Sequence, residues 1–332
     1  MEKTVDTLLN DELLFNIFGR FSLQSDSYKK LGDFENYVYE VYKDGQPIIL
    51  RLTHSSHRNL EEIQSELDWM NFLNKRKVNV PLAYESTNQK LVESIQTLDG
   101  SYFYACVFTK AQGEPVKINS SKFTEDLFYA WGKEIGKMHR VTKNYQPSEG
   151  IVRRANWDEE DLLLNIGEYI PSEDTFIVEK TKELISRINS LPKNNDNFGL
   201  IHTDMHSGNF FFDDKEIHIF DFDDSCYLWF ASDIAIPLYY SILYGFGDKS
   251  QMERMEFAKE FISAFTNGYK SENALPELWE RHLPYFLRLR DITLYSVLHK
   301  KIAPEDRNEK ILSWINEMGE RIKNDKAIIE LY

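Results

Sequence analysis

Between Leu200 and Phe210 the chain reads Leu-Ile-His-Thr-Asp-Met-His-Ser-Gly-Asn-Phe, and Ile217-His218-Ile219-Phe220-Asp221-Phe222-Asp223 follows shortly after. Asp204 and Asn209 fall in a polar loop between two apolar runs of strand character, and Asp221 ends a third such run. A hairpin joining the last two runs would bring Asn209 and Asp221 close together. One carboxylate can orient an attacking hydroxyl and accept its proton. A second carboxylate and an amide can hold Mg2+ against phosphate oxygens. Alignment and charge neutralisation of that kind supply most of the catalysis in phosphoryl transfer.

The pattern is His-x-Asp, an Asn five positions after the Asp, and a later Asp-Phe. It resembles the aminoglycoside phosphotransferase family, which includes choline kinase-like and homoserine kinase-like enzymes. That family's loop reads H-G-D-x-H-x-G-N, with I-D-[FW] downstream. This chain supplies His202, Asp204, His206, Gly208, Asn209 and Ile219-Phe220-Asp221-Phe222, with Thr203 in place of Gly and Ser207 where Pro is common. The resemblance implies Asp204 as catalytic base or hydroxyl orienter and Asn209 and Asp221 as Mg2+ ligands. It implies His202 as a brace for the loop. Asp233, in Ala-Ser-Asp-Ile-Ala, matches a family Asp that receives hydrogen bonds from that loop; on its own it also reads as a helix N-cap. Asp223 and Asp224 are placed to face a cationic substrate.

The likeness extends more thinly toward the N-terminus, covering scattered motifs from Gly32 to Asp233. Leu31-Gly32-Asp33-Phe34-Glu35-Asn36-Tyr37 is similar to the family's nucleotide-covering hairpin, with Gly32 and Asn36 its telling residues. Arg51, in Ile48-Ile49-Leu50-Arg51-Leu52, stands where kinases place a phosphate-binding lysine. Its apolar flanks demand a partner for the charge, and Glu66 on the following helix is the natural one. Phe108, Thr109 and Lys110 would form the hinge whose backbone reads the purine of ATP; GTP stays open, because backbone contacts leave no side-chain signature.

These residues need elements to hold them. Thr7–Phe21 has helical periodicity. Tyr28–Gly32, Asn36–Tyr42 and Ile48–Thr53 read as strands, with Asp44-Gly45 as the turn between the last two. Leu60–Arg76 is an amphipathic helix. Leu91–Thr97 and Tyr102–Thr109 read as two further strands joined at Asp99-Gly100. Beyond Gly113 the pattern is helical: Thr124–Arg140, Trp157–Tyr169, Glu173–Leu191, Asp233–Tyr244, Glu253–Tyr269, Leu278–Lys300 and Pro304–Ile322. A short β interlude, with strands at Gly199–Ile201, Phe210–Phe212 and Ile217–Phe220, interrupts it. The fold class is α+β, a two-lobed protein kinase-like fold. A nucleotide-binding lobe spans residues 1–110, and a catalytic and substrate-binding lobe spans residues 111–332.

Composition narrows the partners. The formal charge is −15, from 54 acidic and 39 basic side chains, so the surface repels nucleic acid and anionic lipid; it would attract a small cationic substrate, although net negative charge reads first as a means to solubility. The two cysteines, Cys106 and Cys226, form no metal pattern and no disulfide framework. No apolar stretch suits a bilayer, and the expected compartment is the cytoplasm. His54 and His57 read as an exposed loop before a helix rather than as metal ligands. Two other readings share the fold. One is a Ser/Thr protein kinase, which the missing A-P-E signature disfavours. The other is a non-catalytic nucleotide-binding protein, which Arg51 suggests and the intact Asp204, Asn209 and Asp221 oppose.

Overall fold

The structure, a computed structural model, describes residues 3–331. It divides into two compact units. The first runs up to Gln112 and takes in two later segments, Tyr145–Arg154 and His218–Asp223. The second holds Gly113–Asn144, Ala155–Ile217 and the chain from Asp224 onward.

The first unit opens with α1 (Lys3–Asp6) and α2 (Asp11–Phe21). The helix expected from Thr7 begins only at Asp11, because Asn10 is extended (φ −115°, ψ 171°). Its side chain accepts the Leu13 N–H at 2.9 Å, which starts a new helix. Next come β1 (Lys29–Gly32), β2 (Tyr37–Lys43), β3 (Gln46–His54), α3 (Leu60–Lys75), β4 (Ala83–Tyr84), β5 (Glu93–Gln96) and β6 (Tyr102–Thr109). Among the described residues they form a six-stranded antiparallel sheet of order β1-β2-β3-β6-β4, with β5 also on β6. The sequence gives no sign of β4, which is too short to show a period. Asp44 and Gly45 both have positive φ and close the two-residue turn between β2 and β3.

Leu50 and Leu52 of β3 join Leu14, Ile17, Phe18 and Phe21 of α2 in one apolar core. Each such side chain contributes about 1.5–3 kcal/mol when fully buried. Strand alternation sends Arg51, between those two leucines, to the opposite face of the sheet, where α3 packs. Asn59 and Glu62 form a reciprocal capping box that fixes the start of α3.

The second unit contains β7 (Glu114–Pro115), α4 (Glu125–Thr142), α5 (Asp161–Leu164), α6 (Ile166–Tyr169), α7 (Thr175–Asn189), β8 (Phe198–Ile201) and β9 (Phe210–Phe212). The strand β10 (Ile217–Ile219) carries the chain back into the first unit, and within the second unit β9 pairs antiparallel with β7. The second unit resumes with β11 (Cys226–Trp229), α8 (Phe230–Gly245), α9 (Gln251–Lys270), α10 (Trp279–Lys301) and α11 (Glu309–Lys323). The helix expected over Trp157–Tyr169 is instead a 3-10 turn and two short helices, broken at extended Glu160 and at Asn165. Pro284 does not split α10. The helix expected from Pro304 starts only at Glu309, where Asn308 accepts the Ile311 N–H. Among the described residues no helix is long and apolar enough to cross a membrane.

Candidate active site

In the second unit, β8 pairs antiparallel with β11, with Ile201 opposite Cys226. The chain then runs from β11 into α8 with no loop between them. That continuity sets the first turn of α8 beside the end of β8. Asp233, in that turn, accepts the backbone N–H of His202 at 3.0 Å and of Thr203 at 2.9 Å. Its carboxylate also meets His139 Nε2 at 3.2 Å, and both side chains are fully buried. Asp233 is therefore not the N-cap; Trp229 holds that position, and Asp233 ties the loop to the helix.

The loop itself is tightly bonded. Thr203 has φ 65°, a left-handed conformation that costs a β-branched residue about 1–2 kcal/mol. Its hydroxyl offsets this through contacts with the carbonyls of His202 (2.7 Å) and Asp224 (2.6 Å). This explains why a family glycine position tolerates Thr here. A Cβ on Gly208 would lie 2.6 Å from the His206 ring, so that ring would have to shift. His202 is completely buried, with Nδ1 facing the Asp204 N–H.

Asn209 Nδ2 donates to both the Asp204 carbonyl (2.9 Å) and Asp204 Oδ2 (3.0 Å). That leaves the Asn209 carbonyl oxygen as a hard ligand of the kind Mg2+ prefers. His206 Nε2 lies 3.4 Å from Asp204 Oδ2, and Arg290 of α10 bonds Oδ1. Burial pushes the Asp204 carboxyl up, but Arg290 and His206 more than reverse it and bring it to about 2. Asp224 is exposed.

In the first unit, Arg51 makes two parallel bonds to Glu66, 2.7 and 2.6 Å, and both side chains are buried. The guanidinium lies 5.3 Å from the Phe108 ring centroid. Lys110 pairs with Glu40 at 2.5 Å, and the Thr109 N–H donates to Leu82 O. Gly32 sits at a register shift between β1 and β2. Asp221, exposed and at φ 66°, follows β10; Ile219 N donates to Asn79 O, and Phe222 packs edge-on against Trp69.

Asp223 departs from expectation. Its carboxylate is buried among side chains of its own unit: Asn36 Nδ2 at 3.2 Å, His57 Nε2 at 2.6 Å and Arg58 Nε at 3.2 Å. It is thereby turned away from a substrate role. Burial pushes this carboxyl up, but Arg58, His57 and Arg51 hold it well below the usual range. Asn36 also accepts from the Thr53 hydroxyl at 2.6 Å, so both polar atoms of its side chain are engaged where the turn meets β2. The expectation that both histidines are exposed is overturned as well: His54 is buried between Ser56 and Ser101. Glu35, His57 and Asp223 lie within metal-ligand reach of one another, but the Arg58 cation on the same carboxylate makes the group an ion-pair knot.

Arg290 belongs to none of the motifs in the sequence. Its signal was an arginine flanked by Leu287, Leu289 and Ile292 on a buried helix face.

An antiparallel sheet with one helix after its third strand, followed by a helical unit bearing a His-x-Asp loop, defines a phosphotransferase of protein kinase-like fold. The phosphotransferase enzyme family (APH) matches residues 28–291. The chain belongs to that family and is an enzyme that transfers phosphate to an alcohol group. It is 36% identical over 304 residues to the amicoumacin kinase of Bacillus subtilis (strain 168), covering 90% of this chain and 88% of that one. The solved structure of amicoumacin kinase hAmiN in complex with AMP-PNP, Ca2+ and Ami superposes with a TM-score of 0.93 at 32% identity, over 100% of this chain and 98% of that one. A microcompartment-associated aminopropanol kinase shares the fold, with a TM-score of 0.75 at 21% identity over 95% and 98% of the two chains.

Proposed function

We propose that this chain transfers the γ-phosphate of ATP, with Mg2+, to a hydroxyl of amicoumacin or of a closely similar amine-bearing small molecule. The observation that carries the acceptor is the likeness to a kinase named for amicoumacin, which runs over 90% of this chain. The solved relative bound to AMP-PNP and Ca2+ supports a nucleotide and a divalent metal.

The residues have distinct roles in this reading. Arg51, held by Glu66, meets phosphate oxygens, and the backbone at Phe108–Lys110 reads the adenine. Gly32 and Asn36 belong to the covering turn. Asn209 and Asp221 hold the metal, which neutralises charge on the phosphates. Asp204 accepts the hydrogen bond of the acceptor hydroxyl. A carboxyl held near 2 is a poor base for advance deprotonation. A loose, largely dissociative transition state asks little of an attacking group, so orienting the hydroxyl matters more than deprotonating it beforehand. The bond from the γ-phosphorus to the bridging oxygen breaks, the acceptor oxygen bonds to phosphorus, and the hydroxyl proton passes to Asp204. His202 and Asp233 keep the loop in place. Exposed Asp224 offers a negative charge to an ammonium group on the acceptor.

The test is ADP release from Mg-ATP with amicoumacin, aminopropanol, choline and an aminoglycoside in parallel, with Asp204→Ala as the blank. Amicoumacin should give the largest stimulation and should gain one phosphoryl group by mass spectrometry. If the protein binds ATP yet amicoumacin gives no more release than the blank, the acceptor is wrong.

A further inference from the structure

The geometry points to Arg290 as a positioning residue for Asp204, fixing the plane of its carboxylate so that the acceptor hydroxyl meets it in one orientation. The inference rests on Asp204 being the group that meets that hydroxyl.

The carboxylate is held from two sides. Asn209 donates to Oδ2 and Arg290 to Oδ1, so rotation about the terminal torsion breaks one bond or the other. Without Arg290 only Oδ2 is held by these partners, and the carboxylate can turn about that point. Arg290 is itself anchored. Its Nε lies 3.0 Å from the Tyr240 hydroxyl, a second guanidinium nitrogen bonds the same oxygen, and the guanidinium lies 4.8 Å from the ring centroid.

The neighbouring residues lock the same two helices one position further along. Asp291, fully buried on α10, accepts from the Tyr239 hydroxyl at 2.7 Å and from Arg321 at 2.6 and 2.9 Å. Consecutive residues of α10 thus grip consecutive tyrosines of α8. The inner pair faces Asp204, and the outer pair prevents the helices from sliding. This double grip marks Arg290 as a fixed strut rather than a surface arginine that happens to reach an acid. A planar guanidinium can serve both Tyr240 and Asp204, whereas a lysine ammonium lacks the fork.

The experiment uses the full chain with the acceptor that gives turnover. Arg290→Ala should lower kcat about 100-fold, the scale of a misplacement of about 1 Å, and leave KM for ATP within about threefold of wild type. Millimolar guanidinium should restore part of the lost kcat, which it cannot do for a merely structural defect. Arg290→Lys should recover only a fraction. Tyr240→Phe, which keeps the ring and removes the anchoring hydroxyl, should fall between wild type and Arg290→Ala. If Arg290→Ala keeps kcat within about threefold, the inference is overturned. It is equally overturned if kcat and Tm fall together and guanidinium does nothing. Asp204→Ala run beside it separates the two levels: turnover retained there removes the premise, while turnover lost there and retained in Arg290→Ala removes Arg290 alone.

Discussion

Arg51 stands where kinases carry a lysine, and its surroundings show what the exchange requires. Two parallel bonds to Glu66 use the fork of the guanidinium, and a single ammonium cannot make both. Arg51→Ala would leave Glu66, 1% exposed, as an uncompensated buried charge. Breaking a buried pair in this way costs about 3–5 kcal/mol. We expect the urea midpoint to fall by that equivalent at unchanged m, and KM for ATP to rise. Arg51→Lys should recover part of both. An unchanged midpoint in Arg51→Ala would mean the pair adds nothing to stability. The Arg51–Glu66 pairing was legible in the sequence because a charge between apolar strand residues needs a partner on the next element. The engagement of Asp223 was not. Its neighbours Asn36, His57 and Arg58 lie more than 160 positions away, and only the folded sheet brings them to it.

Most long elements were legible, since periodicity over ten or more residues is hard to mimic; Trp157–Tyr169, whose helical pattern hides breaks at Glu160 and Asn165, is the exception. Short ones were legible only where turn or motif residues bound an apolar run, as at β8, β9 and β10; β4 has two residues, and β11 follows so closely on the acidic stretch after β10 that it merges into the helix start. Glycines inside helices carry a further message that sequence alone leaves ambiguous. Gly132 and Gly136 of α4 face the backbone of α9, and a Cβ on Gly132 would lie 1.8 Å from Phe265 O. Gly268 of α9 faces Tyr129 O in the same way. Small residues let the two backbones meet directly, and that contact cannot yield as a flexible side chain could. Gly19 of α2 is exposed, with nothing within 4 Å of its would-be Cβ. The same substitution should therefore act in opposite directions. Gly132→Ala should destabilise by about 1–3 kcal/mol through overpacking. Gly19→Ala should stabilise by about 0.5–1 kcal/mol through helix propensity and lost unfolded-state freedom. Thermal melts of both variants check this, and shifts of the same sign would contradict the reading of the α4–α9 contact.

At the scale of the whole chain, the expected lobe of residues 1–110 is a contiguous stretch, whereas the first compact unit is not. Its two later segments supply side chains on which the earlier one depends. Phe222 covers Trp69, which is completely buried. Tyr145 and Ser148 bond the Asp68 carboxylate at 2.8 and 2.6 Å. The Asp223 carboxylate accepts from Arg58 Nε and meets His57 Nε2, and the Arg154 guanidinium reaches both Glu62 O and Asp223 O. A fragment of residues 1–112 would expose the Trp69 ring, orphan the Asp68 carboxylate and take the Asp223 carboxylate from Asn36, His57 and Arg58. Each loss acts on α3 or on the chain leading into it, and together they remove the support for one face of the sheet. The N-terminal fragment should therefore be soluble only as a partly ordered species, with helical far-UV signal, weak near-UV signal and dye binding to exposed apolar surface. Adding the later segments as separate peptides should not restore it at micromolar concentration, because covalent linkage in the intact chain provides an effective concentration in the millimolar range. A fragment giving a dispersed, cooperative unfolding transition of its own would show that the first 112 residues need neither Phe222 nor Asp223.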